Sequence, residues 1–402
     1  CTAATSTVAA QTSRPSANEA SNESPVLNVL HFGAVADGIT NNTSAFARAN
    51  EACRERGGGT IYVPPGVYLT GPIELGDHMT LHLEAGAKIL ASLRLEDYPV
   101  EPKTGWGDGS GESIRAGLVT ARDARNVTIT GRGIIDGNAM AFHDPNTLHG
   151  RIDKRFTRQG DSYMDPKFGT EHGPIAHGER PGNLIRFFGC EDVHLESLTI
   201  QNSPTWTVQF NGCENIDVRG VDINSLASGR RIPNDDGIDI FNCKNIHISD
   251  CDIQTGDDCI AIFAGEKLTV SNCTLSSRSS GIRVGYVGGD IRDCVYKNLV
   301  IHSNRGISLF VRGKDSIENI LFSDIVIRSH LVTGHWWGQA EPIHVSVAQW
   351  DPNADSLGSI SNVRYSNILA EGDAGVVVHG DQASPICSLS FENVRLKLTD
   401  GP

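Results

Sequence analysis

No stretch of this chain runs for the roughly 18 apolar residues that a membrane-spanning helix needs, so no such helix is expected. Positive charge is scarce as well: 34 Lys and Arg stand against 48 Asp and Glu, a formal charge of −14. A chain of that sign is poorly matched to nucleic acid or to anionic membrane surfaces. An acidic polysaccharide stays open, because a local basic cleft can sit on an acidic protein. CxxC spacing is missing despite 10 cysteines, so no metal site is expected. A hydrophobic signal segment is missing too. Residues 1–24, CTAATSTVAAQTSRPSANEASNES, are rich in Ser, Thr and Ala without periodicity and read as a flexible tether. Residues 25–402 are read as one repeat domain.

What the chain does have is a phrase that returns. Asp236-Gly237-Ile238 recurs 22 residues on as Asp258-Cys259-Ile260, and 22 further on as Ser280-Gly281-Ile282. A repeat this short, in β-branched sequence, marks a solenoid with one coil per repeat. Residues one repeat apart then lie roughly 4.8 Å apart. Asp236 and Asp258 become vertical neighbours, with Asp257 beside them. From Met79 onward short alternating strands follow one another, several per repeat of 22–25 residues. That spacing fits an all-β parallel β-helix; a propeller blade needs about 40 residues.

Asn126, Asn215, Asn245, Asn319 and Asn362 each open a strand and predict an asparagine ladder that bonds the backbone of the neighbouring coil. Cys190, Cys213 and Cys243 share one register, and Cys251, Cys273 and Cys294 another. They are read as apolar core ladders, although adjacent coils would also allow disulfides. A helix over 44–56, with Thr43 as N-cap and Phe46, Ala49 and Cys53 on one face, would cover the first coil. Cys1 followed by a tether resembles a mature bacterial lipoprotein lipidated at Cys1; the alternatives are a secreted protein and a chain start that falls on Cys by chance, and on each reading an extracytoplasmic protein is expected.

Two stretches break the rhythm: residues 137–182, polar and rich in Gly and His, and residues 331–353, which hold three of the five Trp. Long irregular segments inside a repeat domain are commonly functional or disordered. Trp336 and Trp337 suit stacking on sugar rings, or packing on the solenoid flank, and His335 and Glu341 beside them are further candidates for the cleft rim.

Two carboxylates roughly 5 Å apart resist joint ionisation, so one pKa should rise. A raised acid beside an ionised partner is what glycosidic hydrolysis requires. The competing reading of Asp236, Asp257 and Asp258, with Asp235 as a fourth carboxylate, is a calcium site or a solvated acidic turn.

The blocks NDDGIDI and GDDCIAI, one coil apart, resemble the polygalacturonase family, glycoside hydrolase family 28. NVLHFGAVADG…GGGTIYVPPGVY and VTITGRGIIDGN, at 127–138, are similar to it as well. The resemblance implies a right-handed, single-stranded parallel β-helix that hydrolyses pectic bonds with inversion and without a cofactor. It implies Asp257 as general acid, Asp236 and Asp258 as the pair that holds and activates water, and Asn234 and Gly256 as flanking motif positions. Asn234 and Asp235 are also candidates for substrate binding, and Asp235 stands where the family has Thr. Ser279-Ser280-Gly281 replaces Gly-His-Gly, and Gly306-Ile307-Ser308-Leu309-Phe310 lacks the Arg and Lys that bind a substrate carboxylate. These departures argue against plain homogalacturonan. Arg278, Arg283 and Arg305 are candidate replacements for substrate binding; the alternative is that they neutralise the cleft's acids. On this reading Arg283→Ala mainly weakens binding. The rival functions are a calcium-dependent polysaccharide lyase and a non-catalytic carbohydrate-binding β-helix.

Overall fold

The computed structural model describes residues 26–101, 114–149, 173–225, 232–332, 336–349 and 356–399. Short runs of alternating Ile, Val and Leu cannot bury both faces alone, so they stack as strands on copies of themselves. One coil consists of Ile238–Phe241, Cys243–Ser249 and Asp252–Thr255. The next begins with Ile260–Ile262 and Gly265–Ser271. Each strand pairs in parallel with its counterpart one coil away, so three parallel ladders run the length of a β-helix. The ladder that carries the site aligns Ile238, Ile260, Ile282, Ile307 and Ile343. We call it the cleft ladder.

The inward positions form columns. Ile238, Ile260, Ile282, Ile307 and Ile343 are each 0% exposed. Burying an aliphatic side chain of this size contributes about 1.5–3 kcal/mol. Aromatic residues stack in the same manner: Tyr296 on Phe322 at 4.7 Å and Phe322 on Tyr365 at 4.9 Å between ring centroids. Both cysteine registers lie in this core as free thiols, and no disulfide occurs among the described residues. Cys1 lies outside the described residues, as does the tether. Among the described residues no helix is long and apolar enough to cross a membrane.

The asparagine ladder exists, with a different partner. Asn215, Asn245, Asn319 and Asn362 sit at φ between 51° and 58°, the left-handed conformation of a sharp turn. Their amides bond each other rather than a neighbouring backbone: Asn245 Nδ2 donates to Asn215 Oδ1 at 3.1 Å, and Asn362 Nδ2 to Asn319 Oδ1 at 2.7 Å. Identical turns stacked in register bring identical side chains together before any backbone. Asn245→Ala is expected to cost about 1–2 kcal/mol, since alanine dislikes the left-handed turn. Urea unfolding would measure it, and an unchanged midpoint would contradict this role for the ladder.

The capping helix α1 runs Thr43–Arg54. Phe46, Ala49 and Cys53 are buried, and Phe46 meets Tyr68 edge-on at 6.4 Å. Thr43 is its first residue rather than its cap. Asn42 occupies the N-cap position, and its side chain instead clasps Val35, accepting from the amide at 2.7 Å and donating to the carbonyl at 3.0 Å.

Candidate active site

The cleft ladder places the acids. Its outward positions repeat every coil: Gln209 pairs with Asp239, Asp239 with Ala261, and Ala261 with Arg283. The turn just before the ladder forms a second column. Gly237 N donates to Asp258 O and Cys259 N to Ser280 O, and Ser280 aligns with Arg305, so Asp236, Asp258, Ser280 and Arg305 rise one above another. The expected stacking of Asp236 on Asp258 therefore holds.

In a regular strand Asp257 and Asp258 would point to opposite faces. The strand Asp252–Thr255 ends before them and the next begins at Ile260, so both lie in a turn. Gly256 is needed there for space: a Cβ would meet Asp235 Oδ1 and the Ile232 carbonyl, each at 2.6 Å. One oxygen each from Asp236, Asp257 and Asp258 lies within 4.8 Å of the other two. Three oxygens so close could hold a cation, but Arg283 already brings positive charge among them.

Arg283 Nε donates to Asp258 Oδ2, and its Nη2 lies 4.0 Å from Asp236 Oδ2. Its Nη1 donates to the Gly285 carbonyl at 3.0 Å. The guanidinium lies 4.2 Å from the centre of the Phe263 ring. Phe263 stacks on Phe241 at 4.1 Å, and Phe241 on Trp206 at 5.8 Å, so an aromatic wall dries the pair. Asp258 Oδ1 accepts from Ser279 Oγ and from Ser280 N, both at 3.0 Å. Ser280, where a family histidine was missed, thus supports the site through its backbone.

This surrounding drives adjacent carboxyls apart. Burial pushes Asp257 up to about 8, and the negative charge of Asp258 adds to the shift. Burial also penalises ionised Asp258, but the Arg283 guanidinium outweighs it and holds that carboxyl below its ordinary value. Asp236 is raised well above its ordinary value by burial and by the charges of Asp257, Asp239 and Asp258. At neutral pH the geometry sets a protonated Asp257 beside an ionised Asp258.

The remaining sequence candidates divide. Asp235 is fully buried and its Oδ1 accepts from Gly256 N and Asp257 N, both at 2.9 Å. It shapes the turn that carries Asp257 and has no surface with which to meet a sugar, which corrects its reading as a substrate contact. Asn234, at φ 57°, accepts from Arg180 Nη2 at 3.2 Å on the rim. Trp336 is 2% exposed and carries the Arg278 guanidinium 5.2 Å from its ring centre, so its face is taken rather than open for stacking. Trp337 is half-buried, with its ring 6.2 Å from that of Trp336. Arg305 donates to buried Glu341 at 2.9 Å. His335 lies outside the described residues.

Sequence reasoning missed two residues. Arg180 emerges beyond a hairpin of His143–Leu148 with Ile175–His177 and donates to the Pro204 carbonyl at 2.9 Å. Burial lowers its pKa to about 10, while Asp235 and Asp236 oppose that. It belongs to the irregular 137–182 stretch, whose long-range contacts no periodicity foretells. Asp239 is fully buried with neither oxygen hydrogen-bonded, and burial raises its pKa well above the ordinary range. Its signal was available: Ile238 and Ile240 face the core, so the residue between them faces the cleft.

Known proteins resemble this chain in sequence and in fold. A "Probable polygalacturonase" of Vitis vinifera is 29% identical over 92% of this chain and 74% of its own length. An exo-poly-alpha-D-galacturonosidase of Dickeya chrysanthemi is 29% identical over 60% of this chain and 42% of its own length. Among solved structures, a hyperthermoactive exopolygalacturonase from Thermotoga maritima superposes with a TM-score of 0.65 at 26% identity, covering 94% of this chain and 93% of that one. The family model of the glycosyl hydrolases family 28 matches residues 53–329. With that match over more than half its length, and with the twin aspartate turns stacked inside it, this chain belongs to glycosyl hydrolases family 28.

Proposed function

We propose that this glycoside hydrolase cleaves a pectic glycosidic bond by inverting acid–base catalysis. The observation that carries the assignment of roles is the opposite displacement of neighbouring carboxyls, Asp257 up to about 8 and Asp258 below its ordinary value. Environments that push two acids apart mark the acid and the base. Asp257 gives its proton to the leaving oxygen as the glycosidic bond breaks. Asp258, with Asp236 beside it, takes a proton from the water whose oxygen bonds to the anomeric carbon. Asp257 ends ionised and Asp258 protonated, and exchange with solvent restores both. Galacturonate-containing polymers are the substrate class, in keeping with the names of the relatives. Plain homogalacturonan is disfavoured because Arg283 is engaged by the site's own acids and Arg305 by Glu341.

The short spacing of the oxygens favours one rival. Inverting enzymes usually keep about 6.5–9.5 Å between acid and base, retaining ones about 5 Å. On that rule Asp258 would attack the sugar directly. Three carboxyls relax the rule, because Asp236 and Asp258 can hold the water between themselves and leave Asp257 to the leaving group. NMR of the first-formed sugar, with pectic oligosaccharides as substrates, decides the matter. Inverted anomer is expected, with activity falling as pH rises through about 8 when Asp257 loses its proton. A retained anomer would overturn the water-activating role of Asp236 and Asp258.

A further inference from the structure

We propose that Glu341 makes the subsite on the C-terminal side of the carboxylates selective for a sugar without a free carboxylate, by occupying Arg305. Arg305 stands in the column of Asp236, Asp258 and Ser280, two coils above Asp258, or roughly 10 Å at about 4.8 Å per coil. Gly306 N donates to the Glu341 carbonyl, which makes Glu341 the next member of that column. A guanidinium on the cleft floor would ordinarily be the anchor for a sugar carboxylate.

Here that anchor is already filled. Arg305 Nε donates to Glu341 Oε1 at 2.9 Å, with the two side chains 14% and 2% exposed. His344 Nδ1 lies 2.8 Å from the same oxygen. Gln339 N donates to Oε2. Burial alone would raise this carboxyl, but Arg305 and His344 bring it down to about 2, so it stays ionised at any working pH. Burial lowers the pKa of His344 and favours its neutral form. The Arg305–Glu341 pair therefore presents no net charge.

The stacking around the pair fixes it in place. The Arg305 and Arg312 guanidinium groups lie 4.9 and 4.6 Å from the centre of the Phe310 ring, and His344 meets that ring edge-on at 5.0 Å. Arg312 keeps its charge but turns its donors inward, from Nη1 to the carbonyls of Val311 and Ser346 at 3.0 Å each and from Nη2 to Ser346 Oγ at 2.8 Å, and it is itself only 8% exposed. A sugar carboxylate approaching Arg305 would meet the Glu341 carboxylate immediately behind it. A hydroxyl or a methyl-esterified carboxyl can still accept from the guanidinium and loses nothing by the pairing, whereas an acid loses the charge attraction that Glu341 has already cancelled. Glu341 is thus a positioning residue that acts through Arg305.

This inference rests on the reading that the cleft binds pectic sugars, and its test separates the two. Galacturonic acid and its methyl ester are monosaccharides with no glycosidic bond to cleave, so NMR titration reads their binding without turnover. The wild-type protein is expected to bind the ester at least as tightly as the acid, with little response to salt. Glu341→Gln is expected to shift the acid-to-ester ratio toward the acid by about tenfold, the scale of a close charge pair. In the double variant Arg305→Gln/Glu341→Gln the shift should vanish, which a merely structural role for Glu341 does not predict. A wild-type preference for the acid, a ratio unmoved by Glu341→Gln, or no binding of either probe would overturn the proposal. The wild-type comparison is decisive even if a variant fails to fold. Turnover of pectic oligosaccharides is followed in parallel. Lost turnover with the expected ratio refutes the proposed reaction alone, whereas turnover without the expected ratio refutes the neutral subsite alone.

Discussion

Asp257→Asn is expected to lower hydrolysis by a factor of about a thousand while leaving the β-helix intact. General acid catalysis is worth roughly 10²–10⁴, and an amide at this position has no proton to give. The packing should survive, because Asp257 Oδ1 accepts from Asp258 N at 3.0 Å and an asparagine oxygen can do the same. Stability carries a second signature. Asp257 titrates near 3.9 when unfolded and at about 8 in the fold. The native state therefore holds the extra proton between those values, and wild-type stability falls as pH rises across that window. The variant lacks this fall. Its stability should match the wild type near pH 4 and exceed it above about pH 8. Thermal unfolding across pH, beside turnover assays, checks both halves. Near-normal turnover by the variant would sink the mechanism.

Arg283→Ala should do more than weaken binding, contrary to what sequence alone suggests. Arg283 is 8% exposed and bonded to buried Asp258. Removing one partner of a buried ion pair typically costs about 3–5 kcal/mol, because the other charge is left without compensation. Asp258 has a depressed pKa in the fold, so its pairing stabilises above its unfolded pKa of about 3.9 and is lost as pH falls through the folded value. The stability gap between wild type and variant should be wide at neutral pH and close under acid. Turnover should fall as well, with its acid limb moved to higher pH as Asp258 becomes harder to ionise. Denaturant unfolding at two pH values together with a pH–rate profile measures these effects. A variant as stable as the wild type, with only a raised KM, would return Arg283 to the role of a sugar contact.

Arg283 and Arg305 were legible as basic residues in register with the acids, yet neither partner could be named from spacing. Asp258 reaches Arg283 across a turn, and Glu341 follows Arg305 only after a loop that lengthens the coil. Trp336 was legible as an aromatic beside the cleft, but Arg278 covers its ring. Such pairings depend on rotamers and on where irregular loops return, and no period records either.

By itself the sequence determined the solenoid, its register and the stacking of Asp236 on Asp258. A repeat is a one-dimensional instruction, and a coil has only its two neighbours to satisfy. It also placed both cysteine registers in the core and the helix over the first coil. Only the tertiary structure decided which aspartate keeps its proton. Burial, the Arg283 pair and the aromatic wall act through space on residues adjacent in the chain, and they separate Asp257 from Asp258 where the letters are identical.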